Sequence, residues 1–271
     1  MVEFATRGLK MLILIFIFLG LFTGLLGGLL GIGGGVITVP ALYYIFTWYG
    51  MPHEDIMHTS VATALAATTL TSIGSTWAQY RKKMLVESIL KLLVPGLVIG
   101  SVSGAILSLF ISNDALRIFF GAIAICCSVY FFFPRLPHFN IAPHPNRSLI
   151  GFGIIFGCLA SLLGIGGGLF IIPALLGYHI AMRNVIACSS AGTLATALVG
   201  SIAYLIVAWN RSTIPHTVGY IEIPAFLAIG ICSFLTTSLG VKLAHTLHTD
   251  WIKRFFALVL CVTGFFMLFH S

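Results

Sequence analysis

Two short glycine-rich motifs contain the residues of this chain whose types and spacing could perform chemistry. The first motif runs Leu29-Leu-Gly-Ile-Gly-Gly-Gly35, and an equivalent motif, Leu162-Leu-Gly-Ile-Gly-Gly-Gly168, lies 133 residues later. Each motif is followed by Pro-Ala-Leu, so that ten of fourteen aligned positions are identical. A glycine costs a helix about 0.5–1 kcal/mol relative to alanine, so a doubled triplet predicts a deliberate break between helices.

A helix that begins after each glycine triplet could bind an anion. Its first N–H groups have no partner within the helix, and its dipole places about half a positive charge at that end. Glycines leave room for an oxyanion to contact the backbone directly. The alternative is close helix packing through small residues. The predicted contact residues are Gly33, Gly34, Gly35, Gly166, Gly167 and Gly168.

Hydroxyl side chains follow each glycine motif and could donate hydrogen bonds to the same anion. The first cluster is Thr59, Ser60 and Thr63, and the second is Ser189, Ser190 and Thr193. Within each cluster the outer residues are four positions apart, so in a helix they share a face. The alternative is that these residues cap the first N–H groups of their own helices.

Titratable residues offer few further candidates. His58 precedes the first hydroxyl cluster and is the candidate for proton coupling, because histidine titrates near physiological pH. A plain interfacial histidine is the alternative. His245 and His248 have no third ligand nearby in sequence, so we expect no metal site and no cofactor. No nucleophile with a base accompanies Ser60 or Ser189, which argues against an enzyme.

The composition indicates a polytopic membrane protein. Apolar residues make up 59% of the chain and charged residues 8%. No formal charge lies between Lys10 and Glu54 or between Arg147 and Arg183, and each of these runs exceeds the ~20 residues that span a bilayer. The net charge of +7 is scattered between apolar segments, which argues against nucleic-acid binding and points to membrane topology.

The chain is predicted to be all-α and to consist of two homologous repeats. We expect a first repeat at 1–134, a linker at 135–147 and a second repeat at 148–271. About eight to ten membrane segments result, depending on how the broken segments are counted. The second segment of each half is too short to span a bilayer, so we expect a half-helix there. The ten apolar segments are about 9–30, 36–49, 59–80, 92–112, 116–134, 149–163, 169–181, 186–208, 220–241 and 251–269.

The distribution of basic residues favours inverted over parallel repeats. If the first two segments of each half make one crossing, the repeats are parallel and the Lys and Arg residues divide nine to five. If these segments make none or two, the repeats are inverted and the division is ten to four. By the positive-inside rule, the second arrangement places the loop Arg81-Lys-Lys83 in the cytoplasm and both termini outside.

The doubled glycine motif, the hydroxyl clusters and the basic loop Gln79-Tyr-Arg-Lys-Lys83 together resemble the TauE/SafE family of membrane permeases. The resemblance covers essentially the whole chain. It implies a transporter of the bacterial inner membrane that moves sulfur-containing anions such as sulfite or organosulfonates, usually described with eight spans. The implied partners are a small anionic substrate and the lipid bilayer, and a homo-oligomer is compatible with this assignment. A passive anion channel and a membrane partner protein without a transport cycle are the alternative functions.

Overall fold

The computed structural model describes residues 2–132, 148–178, 180–209, 217–246 and 249–269. These residues form an all-α polytopic membrane protein, as predicted. The predicted linker at 135–147 lies outside the described residues. The helices are α1 (Val2–Leu30), α2 (Gly35–Trp48), α3 (Ile56–Arg81), α4 (Glu87–Ser108), α5 (Asn113–Phe132), α6 (Ser148–Leu163), α7 (Gly168–Leu176), α8 (Met182–Val207), α9 (Ile223–Thr246) and α10 (Thr249–Phe269). A two-stranded antiparallel hairpin, β1 (Thr217–Val218) and β2 (Ile221–Glu222), precedes α9.

Six of the described helices are long and apolar enough to cross a membrane, namely α1, α3, α4, α5, α8 and α9. The most buried of them is α3, in which 89% of the apolar window lies inside the protein. Lipid therefore has little access to α3, and its many Thr and Ser residues face protein.

The helices α2 and α7 begin at the glycines where the sequence predicts breaks. Gly34 and Gly167 precede them in the left-handed conformation, with φ of 84° and 91°. With nine residues, α7 is about 14 Å long at 1.5 Å per residue, against a hydrocarbon core of ~30 Å. It is therefore a half-helix.

Glycines allow helices of opposite repeats to pack closely. The first pair is α1 and α9, in which Gly20, Gly24 and Gly28 lie against Ile229, Ser233 and Thr237 in the same order. The second pair is α4 and α6, in which Gly96, Gly100 and Gly104 lie against Ile150, Ile154 and Cys158. The helices of each pair therefore run parallel, at the short distance that small residues permit.

The long helices α3 and α8 cross the centre of the protein in opposite directions. Ser75 Oγ lies 2.9 Å from Ser190 Oγ, and a methyl group at Gly200 would lie 3.2 Å from Leu65. The directions of α5 and α10 are also opposite, since Ser128 donates to Ala257 O and Phe131 contacts Phe256. Opposite directions of corresponding helices agree with inverted repeats, which stay a prediction. Which end faces the cytoplasm stays a prediction.

Candidate functional site

The two glycine turns lie against each other in the middle of the protein. A methyl group at Gly35 would collide with the carbonyl oxygen of Gly164, and one at Gly168 would lie 2.7 Å from Ile32 Cα. The two broken segments therefore pack backbone to backbone. Thr68 and Thr193, which flank the turns, are close to the midpoints of α3 and α8.

The backbone of each turn is one that glycine favours. Each turn has three glycines with φ between 70° and 91°, where a Cβ atom is strained. In the first turn these are Gly31, Gly33 and Gly34, and in the second Gly164, Gly166 and Gly167. Both the backbone conformation and the lack of room for a side chain therefore explain why glycine is repeated at these positions.

At each turn, the N-terminal end of the following helix faces the glycines. After the first turn, the amides of Ile37 and Thr38 donate to Gly34 O at 3.0 and 3.1 Å. After the second, the amides of Phe170 and Ile171 donate to Gly167 O at 3.0 and 3.1 Å. The amides before Ile37 and Phe170 belong to the first turns of α2 and α7, where the helix dipole is positive.

Two threonines from different repeats flank both turns. A methyl group at Gly33 would lie 2.5 Å from Thr68 Cγ2 and 2.9 Å from Thr193 Cγ2. One at Gly166 would lie 2.8 Å from Thr193 Cγ2 and 2.9 Å from Thr68 Cγ2. Thr68 of α3 therefore occupies the place that Thr193 occupies on α8. The sequence aligns Thr193 with Thr63 instead, so that alignment does not hold in the fold.

Three hydroxyls at the turns are buried and have no hydrogen-bond partner among the described residues. They are Thr68 Oγ1, Ser72 Oγ and Thr193 Oγ1. A methyl group at Gly33 would lie 2.9 Å from Ser72 Oγ, and one at Gly168 would lie 2.9 Å from Thr193 Oγ1. Buried hydroxyls are nearly always paired, so these donors are suited to a polar ligand. Thr193 is among the contact residues predicted from the sequence, which stays a prediction, whereas Thr68 and Ser72 are not, because they lie far in sequence from either glycine motif.

The other hydroxyls of the second cluster form internal hydrogen bonds. Ser189 Oγ donates to Gly31 O at 2.9 Å and lies 3.4 Å from Gly168 O, so it joins the two glycine segments. Ser190 Oγ bonds to Ser75 Oγ and donates to Ile186 O at 3.0 Å. These two serines support the turns, and their hydroxyl groups are occupied.

The first hydroxyl cluster lies toward the start of α3, where Val61, which falls within it, contacts Gly164 of the second turn. Thr59 precedes Thr68 by nine residues, or about 14 Å along α3. Ser60 Oγ donates to Ile56 O, whereas Thr63 Oγ1 accepts from the Glu222 amide at 2.9 Å and joins α3 to the β-hairpin. Thr59 Oγ1 is buried without a partner in the described structure. The structure thus separates this cluster from the second one.

His58 is buried near the same end of α3. Its Nε2 lies 2.9 Å from Ser108 O, and its ring centroid is 5.6 Å from that of Tyr220. Ten residues, or about 15 Å of helix, separate His58 from Thr68. His58 therefore contacts the end of α4 and the β-hairpin, and it lies about one helical turn before Val61, which contacts Gly164.

Positive potential at the turns comes from helix ends. Among the side chains that the structure describes, Arg117 is the one buried Arg or Lys, and it lies on α5 with its Nε 4.0 Å from Asp114. The described residues also contain no group of three or more His, Cys, Asp or Glu that could hold a metal ion. The side chains of His245 and His248 lie outside that description.

Comparison with known proteins identifies the family. The family model described as sulfite exporter TauE/SafE matches residues 16–267. A probable membrane transporter protein of Haemophilus influenzae is 31% identical, over 93% of this chain and 96% of the relative. Similar proteins of Methanocaldococcus jannaschii (29% identical, 95% of this chain, 96% of the relative) and Bacillus subtilis (23%, 96% and 99%) are also named probable membrane transporter proteins. No solved structure matches the chain. The chain is therefore a multi-pass membrane transporter of the TauE/SafE sulfite exporter family.

Proposed function

We propose that this protein transports small sulfur-containing oxyanions, such as sulfite or organosulfonates, which bind beside the two glycine turns. The main support is the meeting of two helix starts with three buried, unpartnered hydroxyls at one place. The matching family is described as sulfite exporters, which makes this substrate class the first to test.

The proposed site suits an oxyanion because it offers hydrogen-bond donors without a buried cation. Backbone N–H groups at Gly34–Val36 and Gly167–Leu169 would surround one side of the anion, and the hydroxyls of Thr68, Ser72 and Thr193 the other. A buried Arg or Lys would cost about 2.5–3.5 kcal/mol on membrane-insertion scales. Helix ends provide partial charges whose dipoles are already oriented.

Alternating access is the transport mechanism that we propose for this arrangement. Corresponding helices of the two repeats run in opposite directions, and the turns lie at their common centre. Inverted repeats with broken helices at mid-membrane can rock around a fixed site. We place the protein in a bacterial inner membrane, where Ser189 and Ser190 support the site and His58 remains the candidate for proton coupling. Thr59, Ser60 and Thr63 would lie on the route to the site and not in it.

Flux into proteoliposomes tests the substrate and the site together. Purified protein would be assayed with sulfite, sulfoacetate, taurine and sulfate, with and without a proton gradient. Thr193→Val keeps the shape of the side chain and removes the donor. A hydrogen bond to a charged group is worth about 1.5–3 kcal/mol, so we expect sulfite affinity to fall about 10- to 100-fold.

Thr69→Val is the matched control, because Thr69 is a buried threonine of α3 whose hydroxyl donates to Leu65 O at 3.0 Å. We expect sulfite affinity close to wild type in this control. Equal affinity in Thr193→Val and Thr69→Val would contradict the proposed site. Non-saturable conductance would indicate a passive channel, and absence of flux for every anion would indicate a partner protein without transport.

A further inference from the structure

One face of α3 changes from apolar to polar at the glycine turns. Val61 and Leu65 occupy this face before Thr68, and Val61 lies against Gly164. The residues that follow on this face, at spacings of four, three and four, are Ser72, Ser75 and Gln79. These spacings keep all six side chains on one face of the helix. All six are at most 1% exposed.

The polar half of this face contains hydrogen-bonding groups that the described protein leaves without partners. Ser72 Oγ and Gln79 Oε1 are buried and unpartnered in that part of the chain, and Ser75 Oγ is paired with Ser190 Oγ. Burying such groups unpaired is costly, so structures rarely repeat it along one helix without a role. Gln79 is eleven residues, or about 16 Å, beyond Thr68, which is about half the thickness of the bilayer core.

The equivalent positions of α8 are largely apolar, and the one polar side chain among them, Tyr204, donates its hydroxyl to Ser161 O at 3.5 Å. In the positions that correspond to Ser72, Ser75 and Gln79, α8 has Ala197, Gly200 and Tyr204. Ala197 and Tyr204 are fully buried. The helices α3 and α8 therefore have equivalent geometry, but hydrogen-bonding groups form a continuous row only on α3.

The polar half of α3 ends among cations. Because α8 is antiparallel to α3 and α9 is parallel to it, the end of α3, the start of α8 and the end of α9 lie on the same side. The Val86 amide, which lies 3.4 Å from Cys188 Sγ, joins the loop after α3 to α8. The exposed basic residues at this end are Arg81, Lys82, Lys83, Arg183 and Lys242. Partial burial, followed by the charges of Lys242 and Arg183, lowers the pKa of Lys82.

We propose that the face of α3 from Ser72 to Gln79 is one half of the substrate path, along which oxyanions pass between the glycine turns and the cationic end. This proposal deepens the proposed function, on which it rests. Gln79 is the outermost polar side chain of the path, so an anion that enters from the cationic end meets the cations first and then the side-chain amide of Gln79.

Cysteine accessibility tests the path. On a full-length background without the six native cysteines, single substitutions Gln79→Cys, Ser75→Cys and Leu65→Cys would be treated with the anionic sulfonatoethyl methanethiosulfonate and its cationic trimethylammonium counterpart. Leu65→Cys is the matched control, since it is on the same face and equally buried. Lys82→Cys reports the side of the membrane.

We expect Gln79→Cys and Ser75→Cys to react at least about tenfold faster than Leu65→Cys, because thiol reactivity requires access and positive potential. The reaction should occur from the side that labels Lys82→Cys and be faster with the anionic reagent. Equal rates at positions 79 and 65, or labelling from the opposite side, would overturn the proposal. Where the cysteine variants do not fold, sulfite flux is measured in Gln79→Leu and Gln79→Asn. Loss of flux in Gln79→Leu with recovery in Gln79→Asn supports the path. Wild-type flux in both variants refutes it.

Substrate protection separates the two proposals. If sulfoacetate, an organosulfonate that unlike sulfite does not react with methanethiosulfonates, slows labelling of Ser72→Cys, both the site and the path are supported. If the positions of the polar face are labelled faster than position 65 but no organosulfonate slows the labelling, the path stands and the substrate assignment fails. If sulfite binds with wild-type affinity while position 79 reacts no faster than position 65, the site stands and this path is refuted.

Discussion

Single atoms decide how the glycine turns fit together. Gly168 has ordinary helical φ, unlike Gly167, so its lack of a side chain is explained by contact alone. A methyl group there would lie 2.7 Å from Ile32 Cα and 2.9 Å from both Gly31 O and Thr193 Oγ1. Two of these three neighbours are backbone atoms, which cannot rotate away. At Gly168 the second turn therefore packs against the first with no room for one additional carbon atom.

Gly168→Ala should abolish most sulfite transport without preventing membrane insertion. Overpacking of a tight contact costs about 1–3 kcal/mol, and we expect at least an approximately tenfold decrease in flux. Flux in proteoliposomes, normalised to inserted protein, measures the effect. Gly151→Ala is the control, because Gly151 is also helical and a methyl group there has no neighbour within 4 Å. Similar flux in the two variants would show that the contact between the turns is unimportant.

Glycines, which have no side chain, also allow whole helices to pack closely. The contact between α1 and α9 and the contact between α4 and α6 each join one repeat to the other through rows of glycines. Lipid tails are as apolar as leucine, so close van der Waals packing is a main source of helix association in membranes. These two contacts therefore flank the central helices, α3 and α8. They hold the glycine turns in position between the two contacts.

Gly28→Val should destabilise the protein, because any Cβ atom at this position would collide with the carbonyl oxygen of Thr237 on α9. We expect a loss of about 1–3 kcal/mol, visible as a lower thermal unfolding midpoint in detergent. Gly151→Val introduces the same β-branched side chain into α6 where space is open, and its midpoint should change much less. Equal midpoints for the two variants would contradict the role of the α1–α9 contact.

The molecule as a whole has an asymmetric charge distribution. The basic residues Arg81–Lys83, Arg183 and Lys242 are at one end of the central helices, where the salt bridge Lys91–Glu87, with a separation of 3.5 Å, is also exposed. The positive-inside rule predicts that this end faces the cytoplasm. The polar path proposed along α3 would then open to the cytoplasm.

Topology follows from this placement. In inverted repeats, Lys83→Cys and Thr249→Cys should both be cytoplasmic, and Trp209→Cys should lie on the outside. On a background without native cysteines, a membrane-impermeant reagent should label only position 209 in intact cells and all three positions in permeabilised cells. Parallel repeats would place positions 83 and 209 on the same side. Labelling both or neither of these two positions in intact cells would therefore refute inversion.

Much of the fold was determined by the sequence alone, because the bilayer restricts the choices. Apolar segments of spanning length had to be helices, and a repeated glycine triplet had to interrupt them. The starts of α2 at Gly35 and of α7 at Gly168 were predicted correctly for this reason. Family membership was also predictable, since the doubled motif is long and specific.

The composition of the site was decided only by the tertiary structure. Thr68 and Ser72 lie in the middle of α3, far in sequence from either glycine motif, and reach the turns because α3 crosses α8 in the opposite direction. For the same reason Thr63, which sequence alignment pairs with Thr193, contacts the β-hairpin at Glu222 instead. Hydroxyl spacing specifies a helix face, whereas the neighbours of that face depend on how helices from two repeats pack. That packing arises from contacts between residues more than a hundred positions apart, such as Ser75 and Ser190, which no local pattern encodes.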